Sequence, residues 1–312
     1  MSSRSGYRII KMRVAIISDI HGNLPALEAV REHMQGQNVD QILCAGDFTD
    51  PFRESVEVWQ YLKQNKIPTV RGNHEDYIVN SCRGVPAKTD WMSFNQTTLE
   101  QLADHFGEDL ANELAEVPFE YEITFPDGEI MHLCHASFNN NCRSHNDEFT
   151  PEIRDFVTSH PATLFVSGHK HFHDKLFVDH NLMVIVGSLG LPLDQDNRAQ
   201  YIIVSRKQEE WVIEHFRVPY DYKATIASFE KDNWLVESGG MGLLMVDQIL
   251  TAENRLAPFV RWLKKKRSED PKDAPTTPKE WLRECINYLD SFDRIDKIKE
   301  KLSSSSIEAL GL

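Results

Sequence analysis

Five short apolar runs in this chain each end in a polar cluster, and that arrangement restricts the fold more than any other feature. The runs are Val14–Ile17, Gln41–Ala45, Ile67–Val70, Ile130–Cys134 and Thr163–Val166. The clusters are Ser18-Asp19-Ile20-His21-Gly22-Asn23, Gly46-Asp47, Gly72-Asn73-His74-Glu75, His135-Ala136-Ser137 and Gly168-His169-Lys170-His171. Runs of this length, stopped by turn residues, read as buried strands. Laid side by side with like ends together, such strands gather their terminal polar residues along one sheet edge. That is where open α/β sheets place ligand sites.

The first half alternates strand and helix. Asn23 caps a helix with Pro25 in its first turn and Leu24, Leu27, Val30 and Met34 at helical spacing. Ser55–Lys63 reads as a second helix through Val56, Trp59 and Leu62. Pro68 puts the Ile67–Val70 strand at an edge or gives it a late start. The βαβαβ order predicts a parallel sheet with right-handed crossovers. Residues 80–118 interrupt the rhythm with helical patterns at Leu99–Phe106 and Leu110–Leu114. They read as a helical insertion near the site mouth or as an outer packing layer. Strands resume at Phe119–Phe125, Ile130–Cys134, Thr163–Val166, Leu182–Val186, Tyr201–Val204 and Trp211–Phe216, and the second half reads as a mostly antiparallel sheet. The turn Pro126-Asp127-Gly128 makes Phe119–Cys134 a hairpin. Two sheets packed face to face with helices outside accommodate all of these elements.

The expected organisation is a flexible lead at residues 1–11, a catalytic domain at 12–222 and a helical C-terminal extension at 223–312. A linker falls near 268–277, where Pro and charge are concentrated. Thr277-Pro278-Lys279-Glu280 is a capping-box sequence that opens the next helix. Lys264-Lys265-Lys266-Arg267 is a basic run that reads as a solvated helix end.

With 312 residues, the chain accommodates one large domain, or one domain plus an appendage. Its formal net charge of −14 argues against general nucleic-acid binding. It leaves room for a small anionic substrate, because bound cations invert the local field. No apolar stretch approaches the ~20 residues that span a bilayer, and the N-terminal segment lacks a secretory core. The five cysteines are scattered without a CxxC pair. That pattern suggests a reducing compartment, hence a cytoplasmic location.

The clusters hold the residue types that bind divalent metals. Asp19 and His21 alternate after a strand, so on an extended backbone both reach one side. His169 and His171 do the same. Asp47 follows a glycine and can bridge two ions through its two oxygens. Asn73 offers a neutral carbonyl oxygen and His135 another imidazole. Imidazole mixed with carboxylate oxygen suits Mn, Fe, Zn, Co or Ni better than Ca, and the absence of thiolates disfavours a structural zinc site. Each piece alone has an ordinary reading as a capped turn, a loop or a surface pair. The joint order, each cluster at a strand end, carries the argument. His132, His173 and His180 read as structural or exposed, with His173 placed to extend the His169/His171 alternation.

In that order, the clusters resemble the signature of the calcineurin-like metallophosphoesterases over roughly residues 12–174. Val186-Gly187-Ser188-Leu189-Gly190-Leu191-Pro192, followed by Arg198 and Tyr201, is similar to a segment of the bacterial and archaeal predicted-phosphodiesterase branch, as is Phe216-Arg217-Val218-Pro219-Tyr220-Asp221. The resemblance implies a four-layer αββα sandwich of two mixed sheets flanked by helices, with two divalent transition-metal ions at the sheet edges. It implies Asp19, His21, Asp47 and His171 around one ion, Asp47, Asn73, His135 and His169 around the other, and His74 and Asp47 as the catalytic pair. Attack of a metal-bridging hydroxide on a phosphodiester or phosphomonoester is the implied reaction, and a small phosphorylated molecule the implied substrate. Two departures stand out. Pro51 occupies the place of an arginine in the phosphoprotein-phosphatase branch, although Glu75 matches that branch, and Phe138-Asn139-Asn140 lacks a proline common in the phosphodiesterase branch. A phosphoprotein phosphatase and a catalytically silent scaffold are the alternative readings. The C-terminal helices are a candidate surface for a partner or a second copy.

Overall fold

The computed structural model describes residues 12–86, 90–138, 140–142, 150–238, 240–269, 275 and 277–312. The lead at 1–11 and most of the linker near 268–277 lie outside the described residues.

Among the described residues, nine strands form two sheets. They are β1 (Arg13–Ile17), β2 (Gln41–Cys44), β3 (Glu120–Thr124), β4 (Ile130–Cys134), β5 (Leu164–Ser167), β6 (Asp174–Val178), β7 (Asn181–Ile185), β8 (Ala199–Lys207) and β9 (Glu210–Val218). One sheet has the order β2-β1-β8-β9, the other β3-β4-β5-β7-β6. The helices are α1 (Leu24–Met34), α2 (Ser55–Gln64), α3 (Asn73–Cys82), α4 (Asp90–Ala115), α5 (Pro151–Ser159), α6 (Tyr222–Phe229), α7 (Trp234–Glu237), α8 (Gly240–Thr251), α9 (Leu256–Glu269), α10 (Pro278–Asp290), α11 (Ile295–Lys299) and α12 (Ser304–Leu310).

The period-two alternation of β1 builds the layers. Val14 and Ile16 point between the sheets, where they meet Leu133, Val166 and Val184. Ala15 and Ile17 point the other way, into a core shared with α1, α2 and the C-terminal helices. On the far face of the second sheet, Phe165, Met183 and Val178 pack against Val157 of α5. Helix, sheet, sheet and helix therefore stack as the expected αββα sandwich.

Three expectations need correction. The third strand of the parallel unit shrinks to one parallel bridge, Thr69 to Cys44. Pro68 has no N–H to give, so the segment offers only its carbonyl to Cys44 N and the amide of Val70 to Cys44 O. The second half is not a single antiparallel sheet. β4, β5 and β7 pair in parallel, and the β8–β9 hairpin crosses over to pair antiparallel with β1. The strand β6 was not foreseen at all. It is an edge strand with four of its five residues exposed.

Residues 80–118 place α4 against α3 as a packing layer. Gly107, at φ 66°, kinks α4 between its two apolar patterns. None of the described residues in this stretch lines the cavity described below.

Beyond β9, the helices belong to the same apolar cluster as the first sheet. Leu243, Met245 and Ile249 of α8, Phe259 of α9 and Leu289 of α10 are all buried in it. At Gly240 a side chain would strike Cys285, so α8 and α10 touch at close range. Asp247 is fully buried and held by Arg255 and Arg294 at 2.7 and 2.6 Å. The foreseen capping box is present, with Glu280 N donating to Thr277 Oγ1 and Thr277 N to Glu280 Oε2.

A chain ending at Lys265 loses Arg294 and the cover over α8. Leaving a buried carboxylate short of a partner costs about 3–5 kcal/mol. The truncated protein is therefore expected to melt roughly 10 °C lower or to be insoluble, as read by circular dichroism. A soluble product with the parent melting temperature would show that these helices contribute nothing to the core.

Candidate metal and catalytic site

All seven predicted ligand positions and His74 meet at one edge of the sandwich. Each sits in the loop that leaves a strand, or at the start of α3. The local geometry differs from the extended alternation expected for them. Asp19, His21, Asp47, His169 and His171 all have left-handed backbones, with φ of 53°, 56°, 50°, 71° and 61°. Such conformations are costly for residues with a side chain and concentrate at functional sites. The tight turns, not a pleat, aim Asp19 and His21 at the same point.

The backbone is held by a carboxylate that the sequence reading passed over. Glu75 is fully buried. Its Oε1 accepts from Phe48 N, Thr49 N and Thr49 Oγ1 at 2.8–3.0 Å. Its Oε2 accepts from Asp47 N and Gly72 N at 3.0 and 2.8 Å. Burial and the nearby Asp47 charge push the Glu75 carboxyl up to about 7, and the five donors favour its ionised form. Gly72 is required by this closeness, since a Cβ there would overlap Asp47 Oδ1 and lie 2.6 Å from Asp47 N.

Three overlapping groups of ligand atoms result: a first of Asp19, His21 and His171, a second of Asp47, His135 and His169, and a third of His21, Asp47 and His74 that lies between them. In the first, His21 Nδ1 meets the Asp50 carbonyl and His171 Nδ1 the Leu191 carbonyl. A carbonyl only accepts, so each Nδ1 carries the proton and each Nε2 presents a lone pair. Those two Nε2 atoms lie 3.1 Å apart, and His171 Nε2 lies 3.3 Å from Asp19 Oδ1. In the second group, His135 Nδ1 donates to the Ala45 carbonyl. Its Nε2 stands 3.1 Å from Asp47 Oδ2, off any hydrogen-bond direction. His169 Nδ1 lies 3.1 Å from Asn73 Oδ1. Imidazoles anchored at one nitrogen, with lone pairs and carboxylates converging, fit divalent cations.

The titration pattern follows from the same crowding. Burial opposes charge on Asp47, but His135 and His74 outweigh it and hold the carboxyl well below its ordinary range. Burial lowers His135, yet the Asp47 carboxylate lifts it to about 10. Burial and the His135 charge push His169 down to about 3. Burial raises Asp19.

His74 faces the second group without joining it. Its backbone N donates to Asp47 Oδ1 at 2.9 Å. Its Nδ1 is 2.8 Å from Asp50 Oδ2, and its Nε2 is 3.8 Å from Asp47 Oδ2. Asp50 in turn accepts from Asn95 Nδ2, a residue of α4. Burial lowers His74, while Asp47 and Asp50 raise it to about 9. The Asp50–His74 pair was missed in the sequence, although Asp50 directly precedes Pro51. Asn95 carried no local signal.

The Val186–Pro192 segment supports the site from behind. Gly190 N and Ser188 Oγ both donate to the Asp19 carbonyl. His173 is elsewhere, bonded to the Ile185 carbonyl and stacked on His215. A cluster of Glu122, His132 and His160 on the second sheet also brings ligand-type atoms together. There Ala162 N donates to His160 Nδ1, so the proton sits on His160 Nε2, the atom that faces Glu122. That tautomer is a donor, the opposite of the arrangement at His21 and His171.

A cavity of about 430 Å³ opens over the site, lined by His21, Asn73, His74, His169 and His171 on one side. Pro51 lines it where the resemblance places an arginine in the phosphoprotein-phosphatase branch.

Residues 12–209 match the family model of the calcineurin-like phosphoesterase superfamily domain. An uncharacterized protein of Methanocaldococcus jannaschii is 28% identical over 251 residues, 73% of this chain and 98% of that protein. A metallophosphoesterase from Sphaerobacter thermophilus superposes with a TM-score of 0.55 at 21% identity, over 71% of this chain and 95% of that one. A hypothetical protein from Pyrococcus horikoshii OT3 gives 0.59 at 17% identity, over 72% and 94%. At these identities the two structures bear on the fold.

Proposed function

Because the chain belongs to the calcineurin-like phosphoesterase superfamily, we propose that it is a phosphoric ester hydrolase working with two divalent transition-metal ions, and that its substrate is a small phosphodiester in preference to a monoester. The observation that carries the reading is the convergence of the His21 and His171 lone pairs on the Asp19 carboxylate. Without a cation, that arrangement leaves electron-rich atoms facing one another in a buried space.

In this reading Asp19, His21, Asp47 and His171 hold one ion, and Asp47, Asn73, His135 and His169 the other. When bound, such a pair supplies Lewis acidity toward phosphoryl oxygens and makes water a nucleophile near neutral pH. The chain's own residues do the rest. Asp50 fixes the His74 ring through Nδ1 and keeps Nε2 aimed at the space beside Asp47. His74 then delivers a proton to the departing oxygen. Asn95 holds Asp50 in register. The diester preference rests on charge. Pro51 provides no guanidinium, and among the described residues Lys170 is the only Lys or Arg lining the cavity. A monoanionic diester needs less cationic support than a dianionic monoester.

The test is metal analysis of the purified protein, with aryl phosphate mono- and diesters screened across Mn, Ni, Co, Zn and Mg. Two ions per chain and metal-dependent release of the aryl alcohol are expected. His74→Ala is expected to lower kcat by about 10²–10⁴-fold while keeping both ions. Two bound ions without hydrolysis of any ester would sink the enzymatic reading in favour of a silent scaffold. Wild-type kcat in His74→Ala would remove its role.

A further inference from the structure

One wall of the cavity lies outside the family-matched region. Residues 12–209 carry the metal-type side chains, whereas Met241 and Met245 of α8 and Leu256 and Ala257 of α9 close the opposite side. Leu191, Leu193 and Phe172 extend that surface from within the matched part. We propose that α8 and α9 form a specificity wall, and that it selects a phosphate ester whose other half is an uncharged, largely apolar ring group. This inference rests on the proposed phosphoesterase function and names the substrate class for the same site.

Three features point the same way. First, the charged groups of the cavity belong to the family-matched part, and the lining from α8, α9 and their connection is Met241, Met245, Leu256 and Ala257 with two neutral amides, Gln248 and Asn254. Transferring apolar surface onto such a wall is favourable by about 25 cal/mol per Å², and a charged group would lose water there with no counter-charge to replace it. Second, the size fits. A cavity of about 430 Å³ lies in the range of small-molecule sites. With a phosphoryl group against the metal-type residues, space for a ring-sized group remains and space for a folded protein surface does not. Third, the wall offers a neutral donor. Gln248 lines the cavity and is buried. Its Oε1 accepts from Arg255 N and Leu256 N, which fixes the amide orientation. Its Nε2 then has Met245 Sδ, at 3.5 Å, for a neighbour, a weak acceptor. A ring nitrogen or ring carbonyl on the substrate would be a better partner. The two methionines are flexible and polarizable, so they suit a flat π-face without dictating one outline.

The wall is anchored for this task. Arg255, between α8 and α9, is bonded to the buried Asp247, and Arg294 holds the same carboxylate from the other side. Phe259 and Leu263 of α9 are buried in the main core. The side chains over the cavity are therefore presented by packed helices and not by a free loop.

The experiment is equilibrium binding by calorimetry to the full chain saturated with Mn²⁺, using two non-hydrolysable probes, 1-naphthylphosphonate and methylphosphonate. Both offer the same phosphonate to the metal side and differ in the ring. The naphthyl probe is expected to bind at least ~30-fold more tightly. Leu256→Gln and Leu193→Gln, both at partly exposed positions, are each expected to reduce that ratio at least fivefold with little change in melting temperature. Equal binding of the two probes, or a ratio untouched by both variants, overturns the wall. Selective binding without any turnover of aryl esters would keep the wall and remove the enzymatic reading, so the two failures are distinguishable.

Discussion

Asp47→Asn is expected to take metal content from two ions per chain to one or fewer and to lower kcat on the order of 10³-fold or more, because each ion contributes several kcal/mol of charge stabilisation. The reason lies in the two oxygens. Oδ1 accepts the His74 amide, and Oδ2 faces His135 Nε2 at 3.1 Å and His74 Nε2 at 3.8 Å. In the asparagine variant the carbonyl oxygen is retained at the Oδ1 position, since a backbone N–H points at it. The amide NH₂ then replaces Oδ2 and turns a donor toward the space where both proposed ligand groups meet. The side chain is near-isosteric, and removing the Asp47 charge removes the main influence that lifts His135, so the variant is expected to stay folded. Inductively coupled plasma mass spectrometry, steady-state kinetics and a thermal melt separate these effects. Two tightly held ions together with wild-type turnover would show that Asp47 bridges nothing. Contrast with His74→Ala sharpens the result, since that variant is expected to lose rate and keep its metals.

Much of this was legible from residue order. The short apolar runs of β1 and β5 mark strands buried on both faces, and the polar residues that stop them mark the edge. What residue order hides is contact made across the chain. The β8–β9 hairpin carries no local sign that it pairs with β1. The strand β6 escapes a sequence reading because its apolar run, Leu176-Phe177-Val178, is too short to mark a strand by itself, and it lies at the sheet edge. Its Phe177 and Leu176 are exposed.

The site shows the same division. Asp19, His21 and their counterparts can be named from spacing, but the reason given for their convergence was incorrect. Period-two geometry on an extended strand would place Asp19 and His21 on one side. The protein reaches that result through left-handed backbones at Asp19 and His21, on either side of Ile20, with Gly190 N and Ser188 Oγ donating to the Asp19 carbonyl. Asp50 was hidden beside the more conspicuous Pro51, and Asn95 comes from a helix 45 residues further along the chain. Neither can be assigned to His74 without the packing of α4.

Glu75→Gln is expected to lower the unfolding free energy of the chelator-treated protein by about 3–5 kcal/mol, roughly 10 °C in melting temperature. The side chains are nearly the same shape, so packing is preserved and the effect isolates hydrogen-bond polarity. In the parent, five donors converge on two carboxylate oxygens. Glutamine has one carbonyl oxygen. If it meets Phe48 N, Thr49 N and Thr49 Oγ1, its NH₂ faces the amides of Asp47 and Gly72, and donor opposes donor. The reverse orientation strands the amides of Phe48 and Thr49, while the Thr49 hydroxyl can turn to accept. Each buried donor left without an acceptor costs about 1–3 kcal/mol, and none can reach water, because Glu75 has no exposed surface. The same amides shape the turns that carry Asp47 and Asn73, so weaker metal binding is expected to accompany the loss of stability. That distinguishes Glu75→Gln from Asp47→Asn, which removes metal from a fold that stays intact. A denaturation midpoint within the error of the parent would mean that the Asp47–Thr49 turn is held by something other than this carboxylate.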